Sequence, residues 1–135
     1  MQADLARLRE FAARYTSAWC SQNPATVAEF YSHDGSLTFN DGPPAVGRDA
    51  IIQVVRAFMR AFPDLAVVMD DLVLQGNDAE YDWTLTGTNT GPGGTGHKVC
   101  ISGFERWCLG KNGLIASSQG HFDAADHRRQ LKEGD

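Results

Sequence analysis

The chain closes on Gly113-Leu-Ile-Ala-Ser-Ser-Gln-Gly-His-Phe-Asp123. Read as a strand, its period of two sets Gln119, His121 and Asp123 on the face that also carries Ile115. An imidazole and a carboxylate two positions apart on one face can share a proton or grip one ligand. If that face lines a closed hollow, Asp123 is the expected general acid/base, because apolar surroundings push a carboxyl pKa toward neutrality. His121 is its expected partner, orienting a substrate carbonyl or holding the charge state of the carboxylate. Gln119 or Asn40 would supply a neutral donor to a carbonyl or enolate oxygen. Structural roles compete for the same residues. Asp123-Ala-Ala-Asp126 has the spacing of a helix-capping pair, His121 can be a hydrogen-bonded wall residue, and Gln119 can satisfy a buried polar neighbour.

Around this couple the aromatic residues Tyr15, Trp19, Phe39, Phe58, Trp83 and Phe104 are the expected lining of a cone, most of them core residues and a few facing the cavity. Arg106 shares a strand face with Phe104, which leaves its side open. Asp70-Asp71 is a carboxylate pair in sequence only, since alternation sends one to each face. His33, Asp34 and Asp41 stand in separate turns without helix-spaced partners and make a poor metal site. His97 reads as a solvated loop residue. The run Gly91-Pro-Gly-Gly-Thr-Gly96 precedes a strand rather than a helix, so it is a hairpin loop or lid and not a phosphate cradle.

The elements that must position these groups follow from the apolar pattern. Asp4 can cap a helix with Leu5, Leu8, Phe11, Ala12, Tyr15, Ala18 and Trp19 on one stripe. Asn23-Pro24 starts a short helix over 25–31, His33-Asp34-Gly35 reads as a turn, and 36–40 as a short strand. Asp41-Gly-Pro-Pro44 is a loop. A third helix is expected over 50–62, with Ile51, Val54, Val55, Phe58 and Phe62 inward and Pro63 as its stop. Strands are then expected over 65–75, 79–89 and 98–109, and in the segment ending at Asp123, with a closing helix over 124–132. The expected fold is α+β: a strongly curved antiparallel sheet, four of its strands in a meander, packed as a cone on three N-terminal helices. Such a cone leaves a hollow suited to a small molecule.

The totals agree with one small domain spanning residues 1–135. At 135 residues, 42% of them hydrophobic and 21% charged, the chain can bury one core. Its net charge of −5, with scattered basic residues, gives no stripe for a phosphate backbone, so nucleic acid is not an expected partner. No apolar run approaches membrane-spanning length, and the N-terminus has no secretory core, so the expectation is a cytoplasmic protein with no membrane partner. Cys20, Cys100 and Cys108 form no C-x-x-C pair and are read as core thiols in a reducing compartment.

Several motifs in this order resemble the SnoaL-like polyketide cyclases of the nuclear-transport-factor-2-like superfamily. Gly47-Arg48-Asp49-Ala50-Ile51 is similar to that family's opening of the third helix, and Ala61-Phe62-Pro63-Asp64 to its close. Gly87-Thr88-Asn89-Thr90-Gly91 with Thr95-Gly96-His97-Lys98-Val99, and Asn112-Gly113-Leu114-Ile115 with Asp123 and Gln130-Leu131, carry the rest. The resemblance covers about residues 5–131. It implies the cone-shaped, cystatin-like fold, a cavity for a hydrophobic ring system and a homodimer. It also places at Asp123 and His121 the acid/base and neighbouring His of the family. Two departures stand out: Ser117 and Gln119 replace the family's E-x-W, and Asn89 stands where many members have His.

The expected function is cofactor-independent acid/base chemistry, of cyclase or isomerase type, on a small hydrophobic carbonyl compound, with no metal. Asp123 and His121 are the catalytic pair, and Gln119, Asn40, Trp19, Tyr15, Phe58, Trp83 and Phe104 are the substrate contacts. A non-catalytic ligand-binding or dimeric interaction module of the same fold is the alternative. An epoxide-hydrolase-like activity is another, and it needs a second inward carboxylate, for which Asp70 or Asp71 is the candidate.

Overall fold

The computed structural model describes residues 2–76 and 78–134, with side chains from residue 5 onward. Helix α1 (Gln2–Trp19) and the short α2 (Pro24–Ala28) precede strand β1 (Tyr31–Phe39) and the two-residue β2 (Ala45–Val46). Helix α3 (Arg48–Ala61) follows, then β3 (Ala66–Gln75), β4 (Asp78–Thr88), β5 (Lys98–Leu109), β6 (Ile115–Phe122) and α4 (Ala124–Glu133). The six strands form one sheet in the order β2-β1-β6-β5-β4-β3. Pairing is antiparallel along β3-β4-β5-β6 and between β1 and β2, and parallel between β1 and β6. The class is α+β, as the pattern of elements implies, and the meander of the last four strands is present.

The local reasons are mostly those of the sequence. The stripe of α1 buries Leu8, Ala12, Tyr15, Ala18 and Trp19, and α3 buries Ile51, Val55 and Met59. Pro24 sits in the first turn of α2, where its missing N–H costs nothing, and Asn23 caps it by accepting from Ala25 N at 3.1 Å. Helix α1 begins at Gln2, so Asp4 lies inside it rather than at its cap, and the Asp4 side chain is outside the described residues.

Other boundaries differ for physical reasons. Helix α2 ends at Ala28, and Tyr31 opens β1 instead of closing the helix. The expected turn His33-Asp34-Gly35 lies within β1, where the register against β6 shifts between Tyr31 and Ser36. At that bulge the chain approaches β6 closely: a Cβ on Gly35 would stand 2.9 Å from the Ile115 carbonyl oxygen.

The core is aromatic. Trp107, wholly buried, stacks on Tyr81 at 4.9 Å and meets Tyr15 and Phe11 edge-on at 5.1 and 5.8 Å. Phe30 packs edge-on against both Phe11 and Tyr15, at 5.1 and 5.7 Å. This cluster ties α1 to the sheet. Trp107→Ala is expected to cost about 3–5 kcal/mol in urea unfolding, from lost burial and the cavity it leaves.

Candidate functional site

The strand face that enters the cone is set by alternation. On β4 the inward row is Ala79, Tyr81, Trp83, Leu85 and Gly87, and on β5 it is Val99, Ile101, Gly103, Glu105 and Trp107. One carboxylate therefore stands in an otherwise apolar row. A hollow lined by Trp19, Phe39, Phe58, Val67, Tyr81, Trp83, Leu85, Ile101, Glu105, Phe122 and His127 opens beside it. It is narrow, with a cavity volume of about 30 Å³. That is room for one or two waters, or for the leading edge of a flat ligand that widens it.

Glu105 is 3% exposed. Its Oε1 accepts from Tyr15 Oη at 2.8 Å, Trp107 Nε1 at 2.9 Å and Ser118 Oγ at 2.9 Å. Tyr15 spends its only proton on Glu105, so in its 2.9 Å contact with Tyr31 it accepts, and Tyr31 donates. Burial raises the Glu105 pKa above its ordinary value, and the three donors only partly offset this. Burial first, and then the neighbouring Glu105 charge, push both tyrosines far above theirs. Three hydrogens already point at Oε1, so the titrating proton of Glu105 belongs on Oε2. Among the described residues no hydrogen bond reaches Oε2.

Two further polar groups border the hollow. Among the described residues Trp83 Nε1 is buried without a partner, and so is His127 Nδ1. Burial holds the His127 imidazole below its ordinary pKa, and Arg128 beside it adds to the effect. The ring packs against Phe62 and Phe122 at 6.2 and 5.7 Å. At neutral pH His127 is therefore uncharged.

The expected inward couple is elsewhere. His121 is exposed on the outer face of the sheet, its ring 5.0 Å from Phe104. Asp123 is exposed and caps α4, its Oδ1 accepting from Asp126 N at 3.0 Å. The cause is a bulge. Cys108 pairs with Ser117 but Leu109 with Ile115, so Ala116 is an extra residue on β6. Beyond it the faces exchange: Ser118 and Gly120 turn inward, and Gln119 and His121 outward.

Gln119 donates to the Asn40 carbonyl oxygen at 3.1 Å, and Asn40 Oδ1 accepts from Phe122 N at 3.0 Å. Both residues thus fasten a loop to β6 and contact no hollow. Trp19, Phe58 and Trp83 line the hollow, while Tyr15 lies behind it in the Glu105 network. Phe104 belongs to the outer face, with Arg106 over its ring at 5.9 Å and Arg106 paired to Glu80 at 3.2 Å.

Asp70 and Asp71 are both exposed, because the β3 register shifts between Met69 and Asp71. Neither supplies a second inward carboxylate. On the outer face Asp82 is pushed up to about 6 by burial, with Glu80, Asp71 and Asp70 adding to it. The three cysteines are exposed, not core thiols. Glu105 and His127, which line the hollow, are not among the residues the sequence singles out. Glu105 was visible in principle, as the one charge among Val99, Ile101, Gly103 and Trp107.

A six-stranded cone with helices over one face and a hollow at its heart is the nuclear-transport-factor-2 and ketosteroid-isomerase-like architecture. Solved structures share it. A candidate SnoaL-like polyketide cyclase from Jannaschia sp. CCS1 superposes with a TM-score of 0.75 at 15% identity, covering 93% of this chain and 94% of that one. An NTF2-like protein from Burkholderia pseudomallei K96243 gives 0.78 at 18%, over 91% and 95%. The epoxide hydrolase/cyclase-like enzyme SalBIII, of pyran ring formation in the polyether salinomycin, gives 0.78 at 17%, over 93% and 97%. At these identities the likeness is one of fold. The SnoaL-like domain family matches residues 12–118, and the chain belongs to that family. No curated protein matches it in sequence.

Two outcomes test this geometry. Because the Glu105 pKa is raised by folding, the native state binds the extra proton, and stability falls as pH rises above the ordinary value of 4.5. Glu105→Gln is therefore expected to flatten that decline and to raise the melting temperature at pH above neutrality, read by thermal scans across pH. Asp123→Ala is expected to cost about 1 kcal/mol in denaturant unfolding through loss of the α4 cap.

Proposed function

We propose that this protein is a cofactor-independent enzyme that moves a proton on a carbon next to a carbonyl, with Glu105 as the group that carries it. The observation that supports this is one carboxyl, buried in an aromatic hollow, with one oxygen fully engaged and the other unbonded. Desolvation makes the carboxylate a stronger base than one in water, which suits it to a weakly acidic C–H at neutral pH. In the forward step Glu105 Oε2 takes the proton, the C–H electron pair moves into the carbonyl, and an enolate forms. In the return step the same oxygen gives the proton to that carbon, which is exchange, or to another carbon in reach, which is isomerisation. When the enolate carbon instead bonds to a second carbonyl carbon, the π pair of that carbonyl moves to its oxygen, the alkoxide takes the proton from Glu105, and the sum is an aldol ring closure.

The donors from Tyr15, Trp107 and Ser118 hold the carboxyl in one orientation throughout, so little reorganisation accompanies proton transfer. The aromatic walls exclude water and favour flat, uncharged substrates.

The test uses acetophenone, a compact ketone with exchangeable hydrogens beside its carbonyl. Incubated in D2O with the protein, its methyl signal is expected to decay in proton NMR faster than in buffer. Glu105→Gln is expected to remove the acceleration by about 10²–10⁴-fold, the usual range for a lost general base. Undiminished exchange in the variant would falsify the assignment of Glu105.

A further inference from the structure

Trp83 is 6% exposed, and its Nε1–H is buried with no acceptor among the described residues. An unbonded N–H out of water costs about 1–3 kcal/mol, so native proteins rarely keep one without use. This one belongs to a wall residue of the hollow. Its place relative to Glu105 is fixed by the sheet. Trp83 pairs with Gly103, and Tyr81 pairs with Glu105, so Trp83 and Glu105 are diagonal neighbours on one face. Such neighbours lie about 7–8 Å apart at the backbone, within reach of two long side chains that meet the same ligand.

Gly103 makes the arrangement possible. A Cβ there would stand 2.8 Å from Trp83 Cζ2 and 2.2 Å from the His121 carbonyl oxygen, so the indole edge occupies the space that a side chain would fill. At the same end of the hollow Phe122 packs between Trp83, at 6.3 Å, and His127, at 5.7 Å. His127 brings a second unpartnered nitrogen to that end.

We infer that Trp83 Nε1–H is the donor that receives the carbonyl oxygen of the substrate and fixes which carbon Glu105 meets. The substrate class is then a compact, flat, uncharged carbonyl compound. No Lys or Arg lines the hollow, so a carboxylate-bearing ligand would face Glu105 without a counter-charge. Trp83 is a positioning residue that also steadies negative charge growing on the oxygen in the enolate.

This inference rests on the hollow proposed above as the substrate site, but its test does not require turnover. Acetophenone and α-methylstyrene have the same shape and differ in C=O against C=CH2. Both are titrated into the wild type and Trp83→Phe, which keeps an aromatic ring and removes the N–H. The variant is expected to bind acetophenone about 5–10-fold more weakly, while its affinity for α-methylstyrene changes by less than about 2-fold, isolating one hydrogen bond. Equal changes for the two probes, or no change for either, absence of binding included, overturn the inference.

A second readout serves should the variant not fold. The Trp83 indole N–H resonance of the wild type is expected to move downfield with acetophenone and not with α-methylstyrene, and no ketone-specific shift overturns it. Loss of exchange in Glu105→Gln with this probe contrast absent would remove Trp83 and leave Glu105 in place. The contrast present with exchange unaffected would do the reverse.

Discussion

Taking the Glu105 carboxyl out of water costs several kcal/mol unless hydrogen bonds replace the lost hydration. Much of the molecule is arranged around that cost. The donors come from three parts of the chain: Tyr15 on α1, Trp107 on β5 and Ser118 on β6, with Tyr31 at the start of β1 behind Tyr15. Each donor is also a packing residue. Tyr15 and Trp107 are wholly buried and interlock at 5.1 Å, so an atom that hydrogen-bonds Glu105 is held by the same rings that fill the core. The helix cannot shift on the sheet without breaking the network. The network in turn cannot loosen without opening the core.

Polar satisfaction behind the hollow contrasts with what lies around it. Thr16 accepts from Tyr81, having given its own hydrogen to the Ala12 carbonyl, so the hydroxyl of a hollow-lining ring is fully employed. The Trp83 and His127 nitrogens are not. Structure and stability account for the first set of groups, and they leave the second set as a standing deficit. A fold that keeps such a deficit at a cavity wall gives up some stability there, as binding sites commonly do.

The legible part of the sequence was the part governed by uninterrupted periodicity. The stripe of α1, the inward row Tyr81-Trp83-Leu85 and the limits of β5 follow directly from spacings of three, four and two. The order of elements carried the family resemblance. The site itself was lost at one residue. Ala116 adds a position to β6, and a strand that gains one residue turns its later side chains over. His121 and Asp123 therefore left the interior, although the pattern before the bulge, at Ile115, pointed inward. Nothing in Ile115-Ala-Ser-Ser118 marks a bulge, since no Gly or Pro breaks the run. The Asp70-Asp71 pair was misplaced by the same device on β3. Glu105 escaped notice for another reason: a charged residue on a strand is normally outward, and only its neighbours two positions away show that this one is not.

The place of β6 in the sheet bears on how the chain reaches this state. β6 is the last strand in sequence yet lies between β1 and β5, so that the last strand pairs with the first in parallel. The first strand has only the two-residue β2 as a neighbour until the last one arrives. During synthesis, therefore, the meander β3-β4-β5 can pair as it emerges, while β1 waits with an open edge. Ser118 reaches Glu105 only in that final step, so Oε1 gains its third donor only when the sheet closes. A chain stopped short of residue 115 would leave both an unpaired edge and a carboxyl lacking one of its donors, a combination prone to association with other unfinished chains.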